Sequence, residues 1–120
     1  MAAMRIDLHT HSSCSDGTDS PEQVMVLAAQ AGLDVIALTD HDTFAGIAEA
    51  SKMVPECGVS LVPGVEISTS HQGITAHLLA YLPDLKSQVL PGLFEKTVQA
   101  RQQRMREMVQ RLSADFEISY

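Results

Sequence analysis

The chain has 120 residues, 45% of them hydrophobic with no tryptophan, and a formal net charge of −7, which is enough for one modest core and no second domain. An acidic balance of this kind excludes a broad electrostatic grip on nucleic acid, because that grip needs clustered Lys and Arg set against phosphates. Cys14 and Cys57 follow no disulfide or zinc pattern, no apolar run is long enough to span a bilayer, and Met1-Ala2-Ala3-Met4-Arg5 lacks the regions of a secretory signal, so a cytoplasmic protein is expected.

Residues 5 to 8 read as a first strand, which closes in Asp7-Leu8-His9-Thr10-His11 and is followed by Ser15-Asp16-Gly17. Side chains at i and i+2 of a strand leave the same face, so His9 and His11 can reach one ion together, and Asp7 shares that face. Ser20 as N-cap and Pro21 at the first helical position open a helix over 21–31 that Gly32 ends. Val35-Ile36-Ala37-Leu38 is a short buried strand leading into Thr39-Asp40-His41-Asp42. A helix from Thr43 to about Met53 is broken by Pro55-Glu56-Cys57-Gly58. Val59 to Ile67 gives a third strand carrying Pro63-Gly64-Val65-Glu66-Ile67-Ser68, and Ile74 to Tyr81 gives a fourth carrying His77, paired to it through a polar turn around Ser70 to Gly73. From Pro91 to Leu112 a long helix presents Met105, Met108, Val109 and Leu112 as one stripe, expected to be a packed face. Strand and helix alternation of this kind predicts an α/β sheet or barrel, whose strand ends gather at one mouth, so four ligand-bearing segments are expected to converge there.

In this order, His9-Thr10-His11, Ser15-Asp16-Gly17, Thr39-Asp40-His41-Asp42, Pro63-Gly64-Val65-Glu66-Ile67-Ser68 and His77-Leu78-Leu79 resemble the polymerase and histidinol phosphatase (PHP) domain family of metal-dependent phosphoesterases. The resemblance covers nearly the whole chain and is closest to small bacterial members that act on nucleotides. It implies a distorted (β/α)7 barrel of the TIM type, of which residues 1–120 would be the N-terminal part. It also implies up to three divalent ions: His9 and His11 on the first, Glu66 bridging it to a second that His77 also binds, and Asp16 with His41 on the third. The family uses further ligands, a later His and an Asp-x-His pair. Here no histidine follows His77, and neither Asp84 nor Asp115 has one two residues on. The chain is therefore expected to be the front part of a longer protein whose C-terminal half completes the site, and to be inactive alone. If it natively ends at Tyr120, a non-catalytic metal-binding or interaction domain is the alternative.

Imidazole and carboxylate ligands without cysteine suit Mn, Zn or Fe, and Asp16, where some relatives carry His, makes Mg possible. The resemblance implies hydrolysis of a phosphomonoester or a short nucleotide phosphodiester by a hydroxide bridging two ions. A nucleoside 3',5'-bisphosphate or an oligoribonucleotide end is the favoured substrate, and a histidinol-phosphatase-like activity is the alternative within the same chemistry. Catalytic roles fall on Glu66, His9 and His11 through the metals, with no separate acid or base assigned. Bound cations would reverse the local sign, so a small phosphorylated substrate is compatible with an acidic chain.

The remaining polar residues near these motifs have plainer readings. Asp7, Asp40 and Asp42 either orient an imidazole or cap backbone. Cys14 reads as a small loop side chain, and His71 as a solvated loop histidine. Arg101, Arg104, Arg106 and Arg111 read as the solvated face of the last helix.

Overall fold

The computed structural model describes residues 3–120, in the order β1 (Ile6–Thr10), α1 (Pro21–Gln30), β2 (Val35–Leu38), α2 (Ile47–Cys57), β3 (Ser60–His71), β4 (Ile74–Tyr81) and α3 (Val89–Leu112). The chain up to Ser87 forms one compact unit, and Gln88–Tyr120 forms another.

In the first unit α1 and α2 carry the chain back across the sheet, so β1, β2 and β3 lie parallel and in sequence order. The link from β3 to β4 is two residues long, Gln72 at φ 50 and Gly73 at φ 79, and two positive φ values are what a tight hairpin turn demands. So short a link cannot cross over, and β4 returns antiparallel. The expectation of four gathered strand ends is corrected accordingly: only the His9–Asp16 and Asp40–Asp42 segments lie at or beyond the ends of parallel strands, Glu66 sits within β3, and His77 comes from within antiparallel β4, opposite Ser68.

Helix α1 starts where expected, with a capping box in which Ser20 and Gln23 each satisfy the other's backbone N–H. Helix α2 begins later than expected, at Ile47, because the Thr43 hydroxyl instead accepts the N–H of Ala45 in a turn. It also runs through Pro55 to Cys57 rather than breaking there, and Gly58, at φ 68, ends it with its N–H on the Val54 carbonyl. Met25 and Ala28 of α1, Ile47 and Ala50 of α2, and Ile36, Leu38 and Val59 form the buried core between the helices and the parallel strands.

Two features of the sheet shape its inner side. Between Asp7↔Ile36 and Thr10↔Leu38, β1 advances three residues while β2 advances two, which is a β-bulge at Leu8 and His9. The sheet is also curled: β1 and β4 are its opposite edges, yet the Tyr81 hydroxyl donates to the Leu8 carbonyl at 2.8 Å. Both edges carry exposed apolar side chains, among them Ile6 and Leu8 on β1 and Ile74 and Leu78 on β4.

In the second unit, α3 has Phe94 as its buried residue, while Met105, Met108 and Leu112 are each about half exposed. Of the stripe expected there only Val109 is partly buried, since a unit with one helix has no second element of its own to cover that face. No helix among the described residues is long and apolar enough to cross a membrane.

Candidate metal centre

All six residues expected as ligands meet on the inner side of the sheet. Among the described residues they form three groups whose ligand atoms lie within 4.8 Å of one another: His9, His11 and Glu66; His11, Asp16 and His41; His41, Glu66 and His77. Glu66 belongs to two of these groups and is buried. Its Oε2 accepts from His9 Nε2 at 2.8 Å and lies 3.0 Å from His11 Nε2 and 3.7 Å from His41 Nε2, while its Oε1 meets His77 Nδ1 at 2.6 Å. Asp16 closes the other side, with Oδ1 3.1 Å from His11 Nδ1 and Oδ2 3.4 Å from His41 Nε2. Burial alone would raise the Glu66 carboxyl, but hydrogen bonds from His9 and His77, with the charges of His41 and His9, outweigh it and hold the group below its ordinary range.

Each ligand is placed by backbone. His41 and Glu66 are joined by a parallel β-bridge, in which Glu66 N–H donates to the Asp40 carbonyl and Asp42 N–H to the Glu66 carbonyl. Pro63 and Gly64 lead β3 up to this bridge. A Cβ at Gly64 would stand 2.8 Å from Thr39 Cγ2 and 3.1 Å from the Ala80 carbonyl, so only glycine lets β3 lie this close to Thr39. On β4, His77 faces Ser68, two residues beyond Glu66, and therefore shares the Glu66 face. Asp16 rides a tight loop in which Ser15 and Gly17 both donate backbone N–H to the Ser12 carbonyl. A Cβ at Gly17 would come within 2.6 Å of the His11 carbonyl, so the SDG glycine is required by space.

The flanking carboxylates accept from backbone N–H groups and loop hydroxyls. Asp40 is buried and accepts from Ser12 N–H, the Ser12 hydroxyl and the Ser15 hydroxyl, each at 2.7 Å. Asp42, in the left-handed region at φ 51, accepts the Ser68 N–H at 2.8 Å, and Asp7 accepts the His9 N–H at 3.1 Å. Neither Cys14 nor His71 belongs to a ligand group among the described residues. Ser12, Ser15, Thr10 and Tyr81 are structural partners that sequence reasoning missed. The serines stand inside the HSSCSDG run and could have been suspected as loop anchors, but nothing local marks Tyr81.

The donor set is nitrogen and oxygen only, which fits first-row divalent ions and Mg. Ligand bonds of roughly 2.0–2.2 Å put neighbouring donor atoms about 3 Å apart, close to the spacing found around Glu66 and Asp16. The His41 Nδ1 atom is buried without a hydrogen-bond partner among the described residues, so this ring is held from one side only.

Comparison with known proteins agrees with this geometry. The PHP domain profile matches residues 7–117. A 5'-3' exoribonuclease of Haemophilus influenzae is 38% identical over 90% of this chain and 39% of its own length. A 3',5'-nucleoside bisphosphate phosphatase of Chromobacterium violaceum is 36% identical over 91% of this chain and 38% of its own length. Among solved structures, a Bifidobacterium adolescentis protein assigned as a metal-dependent phosphoesterase superposes with a TM-score of 0.88 at 37% identity, covering 99% of this chain and 42% of that one. The chain thus spans about two fifths of the length of the relatives it matches.

Proposed function

Because the chain belongs to the PHP domain family, we propose that it supplies the front part of the metal centre of a phosphoesterase that hydrolyses small phosphorylated nucleotides. The observation that carries this reading is Glu66, a buried carboxylate whose two oxygens are shared among four imidazoles from β1, the loops after β1 and β2, and β4. Histidines gathered so tightly around one carboxylate are hard to account for as core packing, and they match the needs of bridged ions. When bound, divalent ions would supply Lewis acidity to phosphate oxygens and lower the pKa of an attacking water.

In this reading His9, His11 and Glu66 would hold one ion, Glu66 and His77 a second, and Asp16 with His41 a third. The protein's own work is to fix separations. Glu66, shared by two ligand groups, keeps them together, and the His41–Glu66 bridge holds His41 of the third group against it. Manganese, zinc or iron suit the mixed donors, with magnesium possible beside Asp16. The names of the relatives support a nucleoside 3',5'-bisphosphate or an oligoribonucleotide end as substrate. Later ligands are proposed to come from chain beyond the part seen here, and the free thiols of Cys14 and Cys57 support a cytoplasmic setting.

The test is metal content and phosphate release from a nucleoside 3',5'-bisphosphate, measured on the full natural chain and on its Glu66→Ala variant. Two or three ions per chain with turnover, both lost in Glu66→Ala, is the expected result. Normal metal content and turnover in the variant would overturn the assignment.

A further inference from the structure

The bulge in β1 raises a question about His9. A bulge takes backbone groups out of the strand ladder, and the residue it carries can then be aimed by other contacts. Here the disturbed stretch is Leu8 and His9, immediately at a ligand. The peptide unit joining these two residues is held at both ends by side chains. Its carbonyl, from Leu8, accepts from the Tyr81 hydroxyl at 2.8 Å, and its N–H, from His9, donates to Asp7 Oδ1 at 3.1 Å. One residue on, the Thr10 hydroxyl donates to the Ala37 carbonyl at 2.7 Å and laces β1 back to β2. The ring of His9 then reaches Glu66 at 2.8 Å, although its side chain is half exposed and has little packing to steady it.

We propose that Tyr81 and Asp7 are positioning residues for the metal centre: together they clamp the Leu8–His9 peptide and so set the direction in which His9 offers its ring. Tyr81 does this from the far edge of the sheet. It lies on β4 four residues from His77, on the same face, so one side chain ties the strand bearing His77 to the peptide bearing His9. The curl of the sheet and the spacing of the ligands that Glu66 joins are then fixed by the same hydrogen bond. Neither residue touches an ion in this scheme; each acts through backbone.

The inference rests on the metal-centre reading, and the test separates the two. Apparent affinity for zinc would be measured by chelator competition on the metal-free full chain, with the visible spectrum of the cobalt-loaded protein as a report on ligand geometry. Tyr81→Phe removes one oxygen and keeps the ring. It is expected to weaken the site containing His9 about tenfold, as loss of supporting contacts to ligands commonly does, and to change the cobalt spectrum. Asp7→Ala is expected to act similarly, and Asp7→Asn, which keeps an acceptor oxygen, to restore affinity to within about threefold of the unmodified protein. If Tyr81→Phe fails to fold, the Asp7 pair decides alone, since only a clamp predicts rescue by Asn. Unchanged affinity and spectrum in Tyr81→Phe, or equal affinities for Asp7→Ala and Asp7→Asn, would overturn the clamp and leave the metal centre standing. An unmodified protein that binds no divalent ion would overturn both.

Discussion

At position 66 a strand ladder, a β-bridge and a ligand cluster meet in one residue. Glu66 was legible in the sequence because PGVEIS puts an acid just after an apolar run, His9 and His11 by their i, i+2 spacing, and His41 and His77 by their places beside apolar runs, while Asp16 was marked by the family resemblance. The role of Asp40 was not legible. Its three donors come from Ser12 and Ser15, which are distant in sequence and reach it only when the loop after β1 folds over the end of β2. Removing that acceptor leaves the Ser12 N–H buried and unpaired, so Asp40→Ala should cost on the order of 1–3 kcal/mol in urea unfolding. Asp40→Asn, whose amide can still accept from Ser12 and Ser15, should cost distinctly less.

Among the elements, sequence pattern located every strand and helix, but the late start of α2 and two further aspects lay outside its reach. The first was the length of β3, which continues to His71 because pairing with β4 supplies partners for a polar stretch that reads as turn. The second was α2 running through Pro55: near a helix end the missing N–H removes a single bond, and the packing of the α2 face outweighs it. The approach of β3 to β2 was likewise invisible, since it depends on what a side chain at position 64 would strike. Gly64→Ala should force Thr39 or the Ala80 carbonyl to give way, for about 1–3 kcal/mol of destabilisation measured by thermal or denaturant unfolding. The altered spacing would loosen Glu66 too, two residues on.

For the whole molecule, the ligands come from segments as far apart in sequence as His9 and His77, so an ion that binds them cross-links the fold. With free metal held at a hundred times its dissociation constant, the folded state gains about 2.7 kcal/mol, and chelation should lower the midpoint of thermal unfolding by several degrees. An unfolding curve insensitive to chelator would speak against ion binding by the native state. Nothing in the strand patterns marked the apolar rims of β1 and β4, because which edge side chains stay exposed depends on where the sheet stops. The parallel bridge between His41 and Glu66 has a mechanical outcome: two hydrogen bonds make these ligands a single rigid part. A shift of the Asp40–Asp42 segment must therefore drag Glu66 along and respace all three ligand groups in one movement, so the centre tightens or slackens as a unit.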